Sequence, residues 1–141
     1  MANAMTIRKR SEIPVEDTWA VEDLYVSDEA WEAELNTLES DKKELTSFAG
    51  SLGQSGENLF AYLTKMEQVD AKVSLLGNYA SRRADVDTRN AKYQAMSGKF
   101  RSAAVSLGAA CSFETPEIMD ISDETLESFY IKSPRLERYR R

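Results

Sequence analysis

The sequence predicts an all-α protein: a helical bundle built on a long antiparallel helical hairpin, with a third long helix and shorter helices packed against it. Two stretches, Glu57 to Arg83 and Thr88 to Ser112, repeat apolar residues at the three-and-four spacing of one helix face. A third such stretch follows Ser27, and no alternating strand pattern survives against the helical ones. At 141 residues, 42% hydrophobic and 30% charged, the chain has the length and composition of one folded domain. A chain of this length buries roughly two-thirds of its unfolded surface, so one core suffices without disulfides.

Taken in order, Pro14 pushes Ile13 into an extended conformation. Asp17 or Thr18 can cap a short helical turn, anchored by Trp19, Leu24 and Tyr25, with Trp19 folding back onto the hairpin. Ser27 caps a strong helix whose first turn carries Asp28 and Glu29, where the helix dipole favours anions. Trp31, Leu35, Leu38, Leu45 and Phe48 line one face of it, and Gly50 is placed to end it. That face thins at Lys42, and heptads are not sustained, so no long coiled coil is predicted. Residues 51–56 read as a plain turn: Gly50, Gly53 and Gly56 do not have the G-x-G-x-x-G spacing, and no strand precedes them.

In the hairpin, Leu59, Leu63, Met66, Val69, Val73, Leu76, Tyr79 and Ala80 form the first stripe. A helix of about 27 residues spans roughly 40 Å. The second stripe is Tyr93, Met96, Phe100, Ala103, Ala104, Leu107, Ala110 and Cys111. Residues 84–87 join the two, with Asp87 as the cap of the second helix and Thr88 as the alternative. Asp85-Val-Asp87 begins like a calcium loop, but Arg89, Asn90 and Met96 occupy its fifth, sixth and twelfth positions, where a ligand, glycine and glutamate are needed. Gly98 and Gly108 each cost about 1 kcal/mol relative to alanine. With Ala103, Ala104, Ala109 and Ala110 they are expected to form a smooth face for close backbone approach. Pro116 and Ile118 lead into a capped helix from Ser122 to Lys132, with Leu126, Phe129 and Tyr130 inward. Ser133-Pro134 then starts one more helix, with Leu136 and Tyr139 on its stripe, and the chain stops about two turns in, which reads as a cut.

Net charge is −6, yet residues 12–48 hold twelve acids and only Lys42 and Lys43 as bases. The ends are basic: Arg8-Lys9-Arg10, then Lys132, Arg135, Arg138, Arg140 and Arg141. An acidic total argues against nucleic acid as a partner, and the basic tail reads as a solvated helix face. No run approaches 18 apolar residues, so no membrane span is predicted, and no apolar segment follows the basic start to make a secretory signal. The single cysteine, Cys111, excludes an internal disulfide framework and fits a reducing, cytoplasmic compartment. It falls beside Phe113 as a small core residue.

The absence of histidine removes the hydrolytic triads, the usual zinc sites and imidazole acid–base chemistry together. Cys111 therefore lacks the base that a nucleophilic thiol usually needs. Ser40-Asp-Lys-Lys43 matches S-x-x-K in form only, lying mid-helix on a charged face. Carboxylate pairs such as Glu29 with Glu32, or Glu22 with Asp23, are what a solvated acidic face shows in any case. Arg82-Arg83 at the hairpin tip is expected to pair with Asp85 or Asp87 in preference to an anion. No catalytic, cofactor-binding or metal-ligating residue is assigned in this chain.

Several segments together carry a family likeness. Arg10-Ser-Glu-Ile-Pro-Val-Glu-Asp-Thr-Trp19, then Asp23-Leu-Tyr25 and Ser27-Asp-Glu-Ala-Trp31, resemble the start of oligoendopeptidase F, of the thimet-like zinc oligopeptidase family. Tyr79-Ala80, Arg83, Asp85, Asp87-Thr88 and Tyr93-Gln94 resemble the hairpin of the same family. Ser112-Phe113, Pro116-Glu-Ile118, Pro134-Arg-Leu136 and Tyr139 continue the likeness in order. The resemblance implies a cytoplasmic zinc endopeptidase acting on oligopeptides through an H-E-x-x-H helix and a further glutamate, none of which can be placed here. It implies that residues 10–141 are a single helical N-terminal domain of that larger enzyme, truncated at its C-terminal end; residues 1–9 read separately as a leader or flexible N-terminus, since Met1-Ala-Asn-Ala-Met5 looks like a short leader before Met5. Such a fragment would be scaffold and substrate gate, with the remaining catalytic domain and the oligopeptide substrate as partners and zinc only in the parent enzyme. A cut domain leaves apolar surface uncovered, so a homo-oligomer of the fragment is also expected. The other reading is a stand-alone helical bundle serving protein–protein interaction or oligomerisation.

Overall fold

The computed structural model describes residues 8–140. Among them are five α-helices: α1 (Asp28–Thr46), α2 (Gly56–Val86), α3 (Ala91–Ala110), α4 (Glu114–Met119) and α5 (Asp123–Lys132). Short 3₁₀ turns lie at Arg10–Glu12, Val15–Asp17, Val21–Asp23 and Pro134–Tyr139, and the described residues contain no strand. The leader reading of residues 1–9 falls mostly on residues 1–7, outside those described.

Helix α2 is the axis of the molecule. Its partners in α3 descend as α2 ascends: Ser97 hydrogen-bonds to the Ala80 carbonyl, and Phe100 abuts Gly77. The hairpin is thus antiparallel. Helix α1 also runs against α2, since Asp28 meets Tyr79 while Asp41 meets Lys65. The 3₁₀ turn at Pro134–Tyr139 folds back with α5 onto the start of α2, where Tyr139 packs near Phe60 with ring centroids 6.2 Å apart.

The capping signals explain most helix starts. Ser27, Ser55 and Ser122 are extended residues whose hydroxyls accept the N–H of Ala30, Asn58 and Thr125. Helix α1 ends at Thr46, and the chain turns through Gly50, whose φ of +80° is the left-handed conformation that glycine tolerates. The carboxylate of Glu117 accepts the freed N–H groups of Gly50 and Leu52, so α4 holds this loop in place. Gly56 has a different reason. A Cβ there would lie 3.0 Å from Phe129 Cβ and Ser133 Oγ, so its absence lets α5 approach α2 closely.

Several expectations are corrected. Helix α2 runs on to Val86 because Ala84 is itself buried, which moves the hairpin turn to residues 87–90. The cap of α3 is therefore Asn90, accepting from the Lys92 N–H, while Asp87 accepts the Arg89 N–H inside the turn. Thr18 closes the Val15–Asp17 turn and does not open a helix. Trp19 does fold back onto α2, with the Arg82 guanidinium 4.6 Å from its ring centre and Val86 nearby, but it stays 54% exposed. The segment leading into α5 contains a separate short helix, α4, and the last expected helix is a 3₁₀ turn.

The core is centred on Trp31, Tyr62, Tyr79, Leu45, Leu76 and Val69, each essentially inaccessible to water. The Trp31 indole N–H donates to the Leu76 carbonyl at 2.9 Å, and the ring stacks beside Tyr79. Tyr62 lies outside the expected stripe but is buried between the rings of Phe48 and Phe113. Conversely Leu63, Met66 and Val73 are only half-buried. The two glycines of the expected smooth face on α3 admit no close neighbour, since a Cβ on Gly98 or Gly108 would meet nothing within 4 Å, although Ala103 packs against the core. Between α2 and α3 the glycine that admits a neighbour is Gly77, where a Cβ would lie 2.7 Å from Phe100 Cζ.

Candidate functional site

Two clusters of charged side chains fasten the long helices to one another. In the first, Asp41 lies on the apolar stripe of α1, between Leu38 and Leu45, and is 7% exposed. Its carboxylate takes Lys65 at 2.9 Å and Lys72 at 2.6 Å, both from α2. Glu44 completes the partners of Lys65, and Glu34 lies 3.7 Å from Lys72. Burial opposes ionisation of Asp41, but the hydrogen bonds and charges of the two lysines outweigh it and hold its carboxyl below the usual carboxylate range.

The second cluster joins α1, α2 and α3 at one end. Asp28 accepts from the Tyr79 hydroxyl at 2.8 Å and pairs with Arg83 at 3.3 Å and Lys92 at 2.5 Å. Arg83 also donates to the Tyr79 oxygen and lies over the rings of Tyr79 and Tyr93. Burial again works against the Asp28 carboxylate, and the hydrogen bonds from Lys92 and Tyr79 with the Arg83 charge again prevail, lowering its pKa. Arg83 is therefore a helix fastener, whereas only Arg82 pairs at the tip, with Asp85 at 3.3 Å.

These shifts decide what the clusters can do chemically. A general acid or base works best with a pKa near the working pH. Here acids are pushed down and bases up: hydrogen bonds to Glu44 and Asp41 raise Lys65 and one to Asp28 raises Lys92, each against burial, and for Arg83 burial is the largest influence but Tyr79 and Asp28 together outweigh it. Burial and the Glu114 acceptor raise the Tyr62 phenol far above its ordinary value. Burial also raises the Cys111 thiol, which is the opposite of activation. Each group is held away from neutrality, as in structural ion pairs.

The other residues singled out in the sequence stay apart. Ser40 and Lys43 are exposed on α1, and Glu22 and Asp23 are exposed in a 3₁₀ turn. Glu32 pairs with Lys99 of α3, while Glu29 faces solvent. Among the described residues no three His, Cys, Asp or Glu side chains gather as a metal-ligand group. With no histidine in the sequence, the residues present do not fit the zinc that the family resemblance implies. No described helix is long and apolar enough to cross a membrane.

The surface depressions among the described residues include a groove beside α1 and a furrow beside α2. A groove of about 500 Å³ between α1 and α3 is floored by Leu35, Leu38, Ala103 and Leu107, and is spanned by the Lys99–Glu32 pair and a Lys42–Ser106 hydrogen bond. A furrow between α2 and α3 is lined by Met66, Val73, Ala104 and Gly108, with Asp70 and Glu114 beside them. Val105, Met119 and Ile131 are largely exposed elsewhere.

Asp41, Lys65, Lys72 and Tyr62 are not among the residues that stand out in the sequence. Asp41 did carry a signal: it stands on the core stripe, three residues after Leu38 and four before Leu45. A carboxylate there requires cationic partners, and Lys65 and Lys72, two turns apart on the next helix, are the pair at matching spacing.

No protein-family model matches the chain. It is 33% identical over 130 residues to Oligopeptidase PepF of Bacillus subtilis (strain 168), covering 92% of this chain and 19% of that protein. It is 34% identical over 133 residues to the plasmid Oligoendopeptidase F of Lactococcus lactis subsp. cremoris, covering 94% of this chain and 22% of that protein. The crystal structure of oligoendopeptidase-F from Enterococcus faecium superposes with a TM-score of 0.72 at 26% identity, over 80% of this chain and 22% of that one. The chain thus spans about a fifth of the length of the curated relatives it matches.

Proposed function

We propose, from the homology of this chain to one portion of the oligoendopeptidase F proteins, that it is the N-terminal helical domain of a larger peptidase that hydrolyses oligopeptides. The observation that carries the reading is the asymmetry of the match, which takes in 92–94% of this chain but only 19–22% of its relatives. Residues 10–141 form the domain in this reading, and residues 1–9 its leader. The domain acts as scaffold and substrate gate, and the chemistry belongs to the rest of the enzyme. Zinc would be held there, because this chain has no histidine to offer it. The partners are the remaining catalytic domain and the oligopeptide substrate. Cytoplasmic location rests on the lone cysteine and the family resemblance.

Physically, a gate must hold its shape. The ionised clusters at Asp41 and Asp28 pin α1 to α2 at two levels, the second also holding α3 through Lys92, and the core between them is continuous. A wall of this kind admits short extended peptides and excludes folded chains sterically. It also shields a reacting centre from bulk water, which strengthens electrostatic stabilisation there.

The test uses the isolated chain. After dialysis it should retain no stoichiometric zinc by elemental analysis and should leave a quenched fluorescent peptide intact. Stoichiometric zinc together with hydrolysis abolished by a chelator would overturn the assignment.

A further inference from the structure

We draw no further inference here: the strongest candidate, the furrow between α2 and α3 lined by Met66, Val73, Ala104 and Gly108, is an unpartnered, largely apolar face, and nothing in the structure shows what covers it.

Discussion

Replacing Asp41 by asparagine keeps the side-chain shape and removes the charge on which Lys65 and Lys72 converge. Both lysine side chains are about one-fifth exposed, at 20% and 23%, so solvent repays part of the loss. Lys65 keeps Glu44 at 2.6 Å, whereas Lys72 keeps the Thr37 hydroxyl at 2.9 Å and only a distant carboxylate, Glu34 at 3.7 Å. Hydrogen bonds to charged groups contribute roughly 1.5–3 kcal/mol each, and breaking a fully buried pair costs about 3–5 kcal/mol. Partial exposure and the surviving glutamates place Asp41→Asn near 2 kcal/mol, about 4–8 °C in Tm for a domain of this size. The pH dependence separates charge from packing. The folded-state pKa of Asp41 is lowered, so its contribution is present above the unfolded value near 3.9 and is lost as pH falls through the folded value. The gap between wild type and Asp41→Asn should therefore be full at pH 7 and shrink progressively as the pH falls below the unfolded value. Urea unfolding across that range measures it. An unchanged midpoint at pH 7, or a gap that persists undiminished in acid, would refute the charge argument.

Other outcomes follow from the same contacts. Gly77→Ala must displace the Phe100 ring and should destabilise by about 1–3 kcal/mol. Gly98→Ala and Gly108→Ala, with open space at both positions, should each stabilise by up to about 1 kcal/mol; thermal unfolding of the three variants tests the opposite signs. If the chain is the peptidase domain proposed above, Phe100→Ala in the complete protein should loosen the α2–α3 contact and raise kcat/KM for a long substrate relative to a short peptide, with zinc content unchanged. An unaltered ratio in a demonstrably loosened lobe would make the hairpin purely structural. With Val105, Met119 and Ile131 exposed, the isolated chain should self-associate at high concentration, and light scattering showing only monomer there would contradict this.

By itself the sequence determined what depends on neighbours along the chain. Helical periodicity repeats every three or four residues, so the three long helices and the caps at Ser27 and Ser122 were legible, and so was the absence of imidazole chemistry. The limits of the hairpin turn were not, because α2 is prolonged by burial of Ala84, which no local signal records. Which glycine serves packing was undecidable for the same kind of reason. Gly77, Gly98 and Gly108 all lie inside helices, and only the position of Phe100 distinguishes the first. The ion clusters join residues far apart in sequence, such as Asp41 with Lys72 and Asp28 with Arg83. Their pairing depends on the antiparallel register of α1 against α2. Register is settled by how the core of Trp31, Leu76 and Tyr79 closes, and that closure is a property of the assembled bundle.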